Sequence, residues 1–499
     1  MERESLIARL RATRSLSVDL ARPLRAEDYR IQSMPDVSPP WWNLGHTTWF
    51  FAKNVLEPHG LYAAEDARLE YVLNSYYEML GPRVDRAERG LQTRPTTEEI
   101  YAFRERTDER LERLLRGLAD DQWERAEFLV ETGIHHEQQH QELFVTEIKH
   151  ILGSNARNLR EPYLKEAARR SAATAAPCRG AASRGAMLPS EGSQGMARAG
   201  NGAAPLVQIE LDGGLDEFGN REGGWCFDNE LAVHRAWLEP FAVANRLITN
   251  GEYLEFMADG GYQDPLLWLA NGWAAVKEKG LMAPLYWERV DGEWLQWTLA
   301  GMRALALDEP ACHVSFYEAD AFARWLDRAR AEWSGCRLTT EREWERAART
   351  LGFGVEAGNF LESGRLHPEG GDEARAGSSA GEPSPSNGGW PQAAGEVWEW
   401  TSSHYDAYPG YVPFGGSLTE YNGKFMDNQR VLRGGSCATP RSHIRVSYRN
   451  FWPPDTRFQF TGIRLARPLD AAGPSDTIPA ARPGASSGRR PGRAPRDAR

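Results

Sequence analysis

The chain has 499 residues, enough for two or three domains with real hydrophobic cores. Its 59 Lys+Arg against 70 Asp+Glu leave a net charge of −11, which argues against nucleic acid or an anionic membrane as the main partner. No apolar run reaches the roughly 18 residues of a membrane-spanning helix, and five scattered cysteines without a CxxC pair argue against a disulfide scaffold or thiolate zinc site. The opening Met1-Glu2-Arg3-Glu4-Ser5 runs into a charged amphipathic pattern, unlike a signal peptide, so the expected compartment is the reducing cytoplasm.

Residues 1–165 read as an all-α bundle of about four helices, with Leu6, Leu10, Leu16 and Leu20, then Leu111, Leu114, Leu115 and Leu118, near helical spacing. Residues 166–205 are small, polar and almost free of aromatics. Such a segment buries too little surface to offset its ordering entropy, and it reads as a flexible linker. Residues 206–468 are dense in Gly, Pro, Trp and Asn, with short apolar runs at 206–209 and 431–433 and amphipathic helices near Tyr317–Leu326 and Glu341–Arg349. That pattern predicts a loop-rich α+β domain with short strands. Gly370–Gly389 reads as a polar surface loop, and 469–499, rich in Pro, Gly and Arg, as a disordered tail.

The strongest chemical signal is His135-His136-Glu137-Gln138-Gln139-His140 inside a helical stretch. His136 and His140 stand at i and i+4, so both imidazoles leave one helix face and one metal ion can take both. A polar surface face is the plainer alternative. The letters also fit H-E-x-x-H, so a zinc peptidase has to be weighed, although the all-helical setting does not suit one. A third imidazole, His46, lies in Trp41-Trp42-Asn43-Leu44-Gly45-His46-Thr47, where core packing is the competing explanation. Three histidines that leave open positions suit Fe(II) chemistry with O2. Tyr76 and Tyr77 supply phenols or simply pack. Arg83, Arg86 and Arg89, spaced every third residue, either clamp a carboxylate or solvate a loop.

The segments WNLGHTTWFF, LNSYYE, GPRVDRAERG and HHEQQHQE resemble the DinB-like domain of the ergothioneine-synthase (EgtB-like) family. FDNELAVHRAWLEPFAVANRLITNGEYLEF, HVSFYEADAFARWL, GEVWEWTSS and VLRGGSCATPRSHIRVSYRNF resemble its formylglycine-generating-enzyme-like domain, a C-type-lectin-like fold. The resemblance implies an iron-dependent oxidoreductase with His46, His136 and His140 as Fe(II) ligands. It would form a carbon–chalcogen bond at the imidazole C2 of hercynine (Nα-trimethylhistidine), using O2. It implies that Gln139 and Asn450 contact hercynine, that Arg83 and Arg86 lie near the second substrate, and that Tyr76, Tyr77 or Tyr421 acts near the iron. The sister selenoneine synthases use a selenosugar where ergothioneine synthases use cysteine or γ-glutamylcysteine. Two departures favour the selenium branch here. Asn450 is followed by Phe451-Trp452 where the actinobacterial branch has Trp-Asp, and WWNLGHT stands where ergothioneine synthases usually read KWHLAHT. A non-catalytic ligand-binding protein is the expectation from another class, since lectin-like domains often only bind.

Overall fold

The computed structural model describes residues 2–165, 203–370 and 389–469. The expected linker at 166–205 lies outside the described residues but for its last three positions. So do nearly all of the Gly370–Gly389 loop and of the 469–499 tail.

Four long helices build the N-terminal bundle: Arg3–Ala21, Pro40–Phe51, Thr97–Gly117 and Asp120–Gly153. Each boundary has a local cause. Pro39 and Pro40 start the second helix, where a missing N–H costs nothing. Thr96 and Glu99 close a reciprocal capping box on the third. Asp120 and Asp121 sit at the positive end of the fourth, with His150 in its last turn. All twelve residues of the second helix are buried, so it forms the centre of the bundle rather than one of its faces.

The second domain has a four-stranded antiparallel sheet ordered Gln208–Leu211, Phe241–Ala244, Leu465–Pro468, Arg337–Leu338, with Val243 opposite both Ile209 and Ala466. A second sheet runs Asn450–Trp452, Arg430–Arg433, Trp398–His404, Thr461–Gly462, and only its last pair is parallel. The two anticipated helices form over Phe316–Ala329 and Glu341–Leu351, each opened by a Ser/Thr-x-x-Glu capping box. The strand expected at 206–209 begins two residues later, at Gln208. The four described cysteines are buried and unpaired.

The two domains meet along the fourth helix, 34 residues or about 51 Å long. His135, Gln138, Gln139 and Glu142, at i, i+3, i+4 and i+7, face the second domain. His135 Nδ1 lies 3.0 Å from His443 Nδ1, Gln138 donates to Ser442 Oγ, and Gln139 donates to the Tyr448 hydroxyl. Glu142 accepts from Trp398 Nε1 (2.6 Å), Ser436 Oγ (2.5 Å) and Thr439 Oγ1 (2.8 Å). A buried donor stripped of its acceptor costs roughly 1–3 kcal/mol. Glu142→Ala is therefore expected to lower the unfolding free energy by about 3 kcal/mol. Chemical denaturation followed by tryptophan emission measures this. An unchanged midpoint would mean that the carboxylate does not hold the domains together.

Candidate metal centre

His46 on the second helix meets His136 and His140 on the fourth, and one ring nitrogen of each lies within 4.8 Å of the others. Two glycines permit the approach. A Cβ on Gly133 would lie 2.3 Å from Phe51 Cε1, so its absence lets the Phe51 ring seat against the fourth helix. A Cβ on Gly45 would lie 2.6 Å from Leu73 Cδ2, and the Leu73 carbonyl is the partner of His46 Nδ1 at 2.6 Å. A carbonyl oxygen only accepts, so His46 carries its proton on Nδ1 and turns the Nε2 lone pair inward. His140 does the same through Asn43 Oδ1, 2.8 Å from its Nδ1. Behind that amide, Asn43 Nδ2 donates to Glu147 Oε2 at 2.5 Å, and the Ser38 N–H donates to Oε1 at 2.8 Å. His136 stacks on Phe50 with centroids 4.2 Å apart, and its Nδ1 is buried without a partner.

Burial sets the electrostatics. It pushes His136 down to about 3 and holds His46 and His140 well below 6.5, with repulsion from neighbouring imidazoles adding to the effect. All three are neutral at pH 7, the state in which imidazole ligates a metal. His46 Nε2 and His136 Nε2 are 3.2 Å apart, against about 3.0 Å for two nitrogens at right angles on metal bonds of about 2.1 Å. Converging neutral imidazoles and this spacing fit a bound cation. The donor set suits Zn, Cu, Fe or Ni, and three ligands with open positions suit Fe(II).

The same shifts fix a pH dependence. The folded pKa values lie below the unfolded value near 6.5, so the unfolded chain binds more protons as pH falls. Stability from these groups is full above 6.5 and is lost as pH falls toward the folded values. The melting temperature of metal-free protein should drop between pH 6.5 and 4, and His136→Phe should flatten part of that drop. A parent curve that is flat there would contradict the assignment.

Of the other residues singled out by sequence, Gln139 and Tyr421 come together. The Tyr421 hydroxyl donates to Gln139 Oε1 at 2.6 Å, and its ring lies 5.9 Å from that of His136. Tyr76 and Tyr77 stack, their hydroxyls 3.3 Å apart, with Tyr77 against Trp49 and Phe50. Burial raises all three phenols above 10, so they stay protonated. Arg83 pairs with Glu78 and Asp85, and Arg86 donates to the Asp36 carbonyl, though its charge still bears on His140. Asn450 sits in strand pairing opposite Leu432, its Oδ1 taken by the Phe451 N–H. The arginine that reaches the centre is Arg89. It is buried, bonded to Ser38 and Ser75, and 3.4 Å over the Trp42 ring, which stacks on His46. Glu137 is committed elsewhere, to Arg14, Arg104 and Ser17. The general base that a zinc peptidase would need is therefore tied into a structural cluster.

The chain belongs to the family described as sulfatase-modifying factor enzyme 1-like domain, matched over residues 201–469. The bundle before it matches the DinB superfamily over residues 9–144. This is the DinB-like plus formylglycine-generating-enzyme-like pair that the sequence segments resemble. The chain is 37% identical over 248 residues to the hercynine oxygenase of Mycolicibacterium smegmatis, covering 48% of this chain and 55% of that protein. It is 35% identical over 253 residues to the hercynine oxygenase of Mycobacterium tuberculosis, with the same coverage. It is also 29% identical over 298 residues to the formylglycine-generating enzyme of Streptomyces coelicolor, covering 53% of this chain and 90% of that one. The match thus spans about half the length of the hercynine oxygenases.

Proposed function

We propose that this protein is a nonheme Fe(II)- and O2-dependent synthase that joins a chalcogen to the imidazole C2 of hercynine. The observation that carries the reading is the set of three inward-facing, neutral imidazoles beside buried phenols at the seam of the two domains. Similarity to hercynine oxygenases supplies the substrate class. His46, His136 and His140 would hold the iron, which when bound supplies the place where imidazole, nucleophile and O2 meet. No described helix is long and apolar enough to cross a membrane, and we assign the reaction to the cytoplasm.

The chain's own residues then have separable tasks. Tyr421 holds a proton on a hydroxyl already directed at Gln139, one position before His140 on the metal-bearing helix. Gln139, with one amide end on Tyr421 and the other on Tyr448, presents groups that can exchange partners with a polar substrate. Phe50, Trp49 and Phe227 wall the phenols off from solvent. Because a phenol can release a proton or an electron on demand, a buried protonated tyrosine suits oxidative bond formation.

For the nucleophile we favour a selenosugar. Trp452, the residue in place of the branch aspartate, packs edge-on against Phe458 and offers no carboxylate of the kind that helps hold γ-glutamylcysteine in that branch. The second reading is a sulfur nucleophile, cysteine or γ-glutamylcysteine, supported by the likeness (26% identity over 251 residues) to ergothioneine biosynthesis protein 1 of Schizosaccharomyces pombe. Purified Fe(II) protein given O2 and hercynine, with selenosugar, cysteine and γ-glutamylcysteine in parallel, decides by mass spectrometry of products. A selenium adduct formed fastest is the expected result. Faster sulfoxide formation from either thiol would replace the selenium reading with the sulfur one.

A further inference from the structure

His136, His140 and Glu147 share one face of the fourth helix, at i, i+4 and i+11. Its carboxylate is buried and faces Asn43 and the Ser38 N–H. Asn43 is 3% exposed, and its amide is spent at both ends, Oδ1 toward His140 Nδ1 and Nδ2 toward Glu147 Oε2. An amide can present either end to an imidazole. Which end it presents decides which ring nitrogen of His140 keeps a lone pair for a metal. Burial pushes the Glu147 carboxyl up to about 7, so the relay is set above that pH, where the ionised carboxylate only accepts and holds the amide with nitrogen toward itself and oxygen toward His140. That leaves His140 as the Nδ1–H tautomer with Nε2 directed at the centre.

Resting on the metal reading above, we infer that Asn43 and Glu147 form a positioning relay that selects the ligating tautomer of His140. The three ligands are then unequal by construction. His46 is oriented by a main-chain carbonyl that no substitution can remove, His140 by a replaceable amide–carboxylate pair, and His136 by ring stacking alone. The relay is therefore the place where sequence change can tune the centre without touching a ligand. Outer hydrogen-bond partners of this kind typically command about 10–100-fold in metal affinity.

The test uses full-length protein and anaerobic titration with Co(II), whose visible d–d bands report ligand geometry independently of turnover. Asn43→Leu keeps the branched shape and removes the acceptor, and about 10–100-fold weaker Co(II) binding is expected. Asn43→Asp combined with Glu147→Gln keeps an acceptor toward His140 and a donor–acceptor contact between positions 43 and 147 without setting two carboxylates together, and it should bind Co(II) within a few-fold of the parent, with shifted d–d bands. Glu147→Gln can donate to Asn43 and so let the amide turn, and a loss of about tenfold is expected. If Asn43→Leu does not fold, the double variant and Glu147→Gln carry the comparison. Parent-like affinity and spectra in Asn43→Leu, or in Glu147→Gln, would overturn the relay. Equal loss in the Asn43→Asp/Glu147→Gln double variant and in Asn43→Leu would do so too, because it would show a packing role. A parent protein that takes up no Co(II) would instead remove the metal reading itself.

Discussion

Replacing His46 by alanine is expected to leave a folded protein that holds iron more than about 100-fold less tightly, a loss at or beyond the top of the range that outer partners command. The reason is geometric. His136 and His140 come from one helix, so without His46 the ion has two donors on one side and none from the second helix. Folding should survive, because the removed imidazole is a buried base held neutral at a cost, and the aromatic packing of Trp42, Trp49 and Phe50 remains. Metal content after anaerobic loading and desalting gives the answer. Stoichiometric iron in His46→Ala would exclude the three-histidine centre. His136→Ala and His140→Ala should behave alike, and turnover should fall with iron content in all three.

Tyr421→Phe is expected to lower turnover by about 10²–10⁴-fold while hercynine affinity and iron content stay close to the parent. Phenylalanine keeps the ring against Phe227, Phe50 and His136 and removes only the hydroxyl that donates to Gln139. Sequence resemblance puts Tyr76 and Tyr77 first, with Tyr421 a second candidate by looser alignment. The geometry favours Tyr421, because the hydroxyls of Tyr76 and Tyr77 contact each other and Tyr421 alone of the three bonds to the helix of His136 and His140. Single-turnover measurement on the three Phe variants discriminates. A Tyr421→Phe enzyme with parent rates, beside a Tyr77→Phe enzyme that has lost them, would transfer the role to Tyr77.

How much of this was legible in the sequence depends on the range of the interaction concerned. Local signals carried well. The i,i+4 histidines and the amphipathic stretches 317–326 and 341–349 map onto real helices, because each is settled within a turn or two of chain. Tertiary choices did not carry. Of three arginines at equal spacing, nothing local says that Arg89 turns inward onto Trp42 while Arg83 pairs at the surface with Glu78. Asn450 was singled out by motif, yet in the folded chain its side chain serves its own strand. Two residues were missed although a signal existed. Glu147 lies seven residues after His140, on the same face, and a buried acid two turns from a ligand invites the question of what it orients. Asn43 is one of the positions where the segment before His46 departs from the ergothioneine-synthase pattern, and it contacts His140 from the neighbouring helix. Seeing that contact needs the second and fourth helices to be packed together, and the glycine that allows it, Gly133, looks in sequence like a helix defect rather than a site of close approach.

The central claim is that the three imidazoles hold an iron at which the C2–H bond of hercynine is replaced. Hercynine deuterated at imidazole C2 tests it most directly. With Fe(II) protein, O2 and a competent chalcogen donor, the label should be lost from the product in step with turnover. It should be retained without O2, without iron, and in His46→Ala. Retention of deuterium by iron-loaded parent protein with every donor, or label loss that proceeds equally in His46→Ala, would contradict the account.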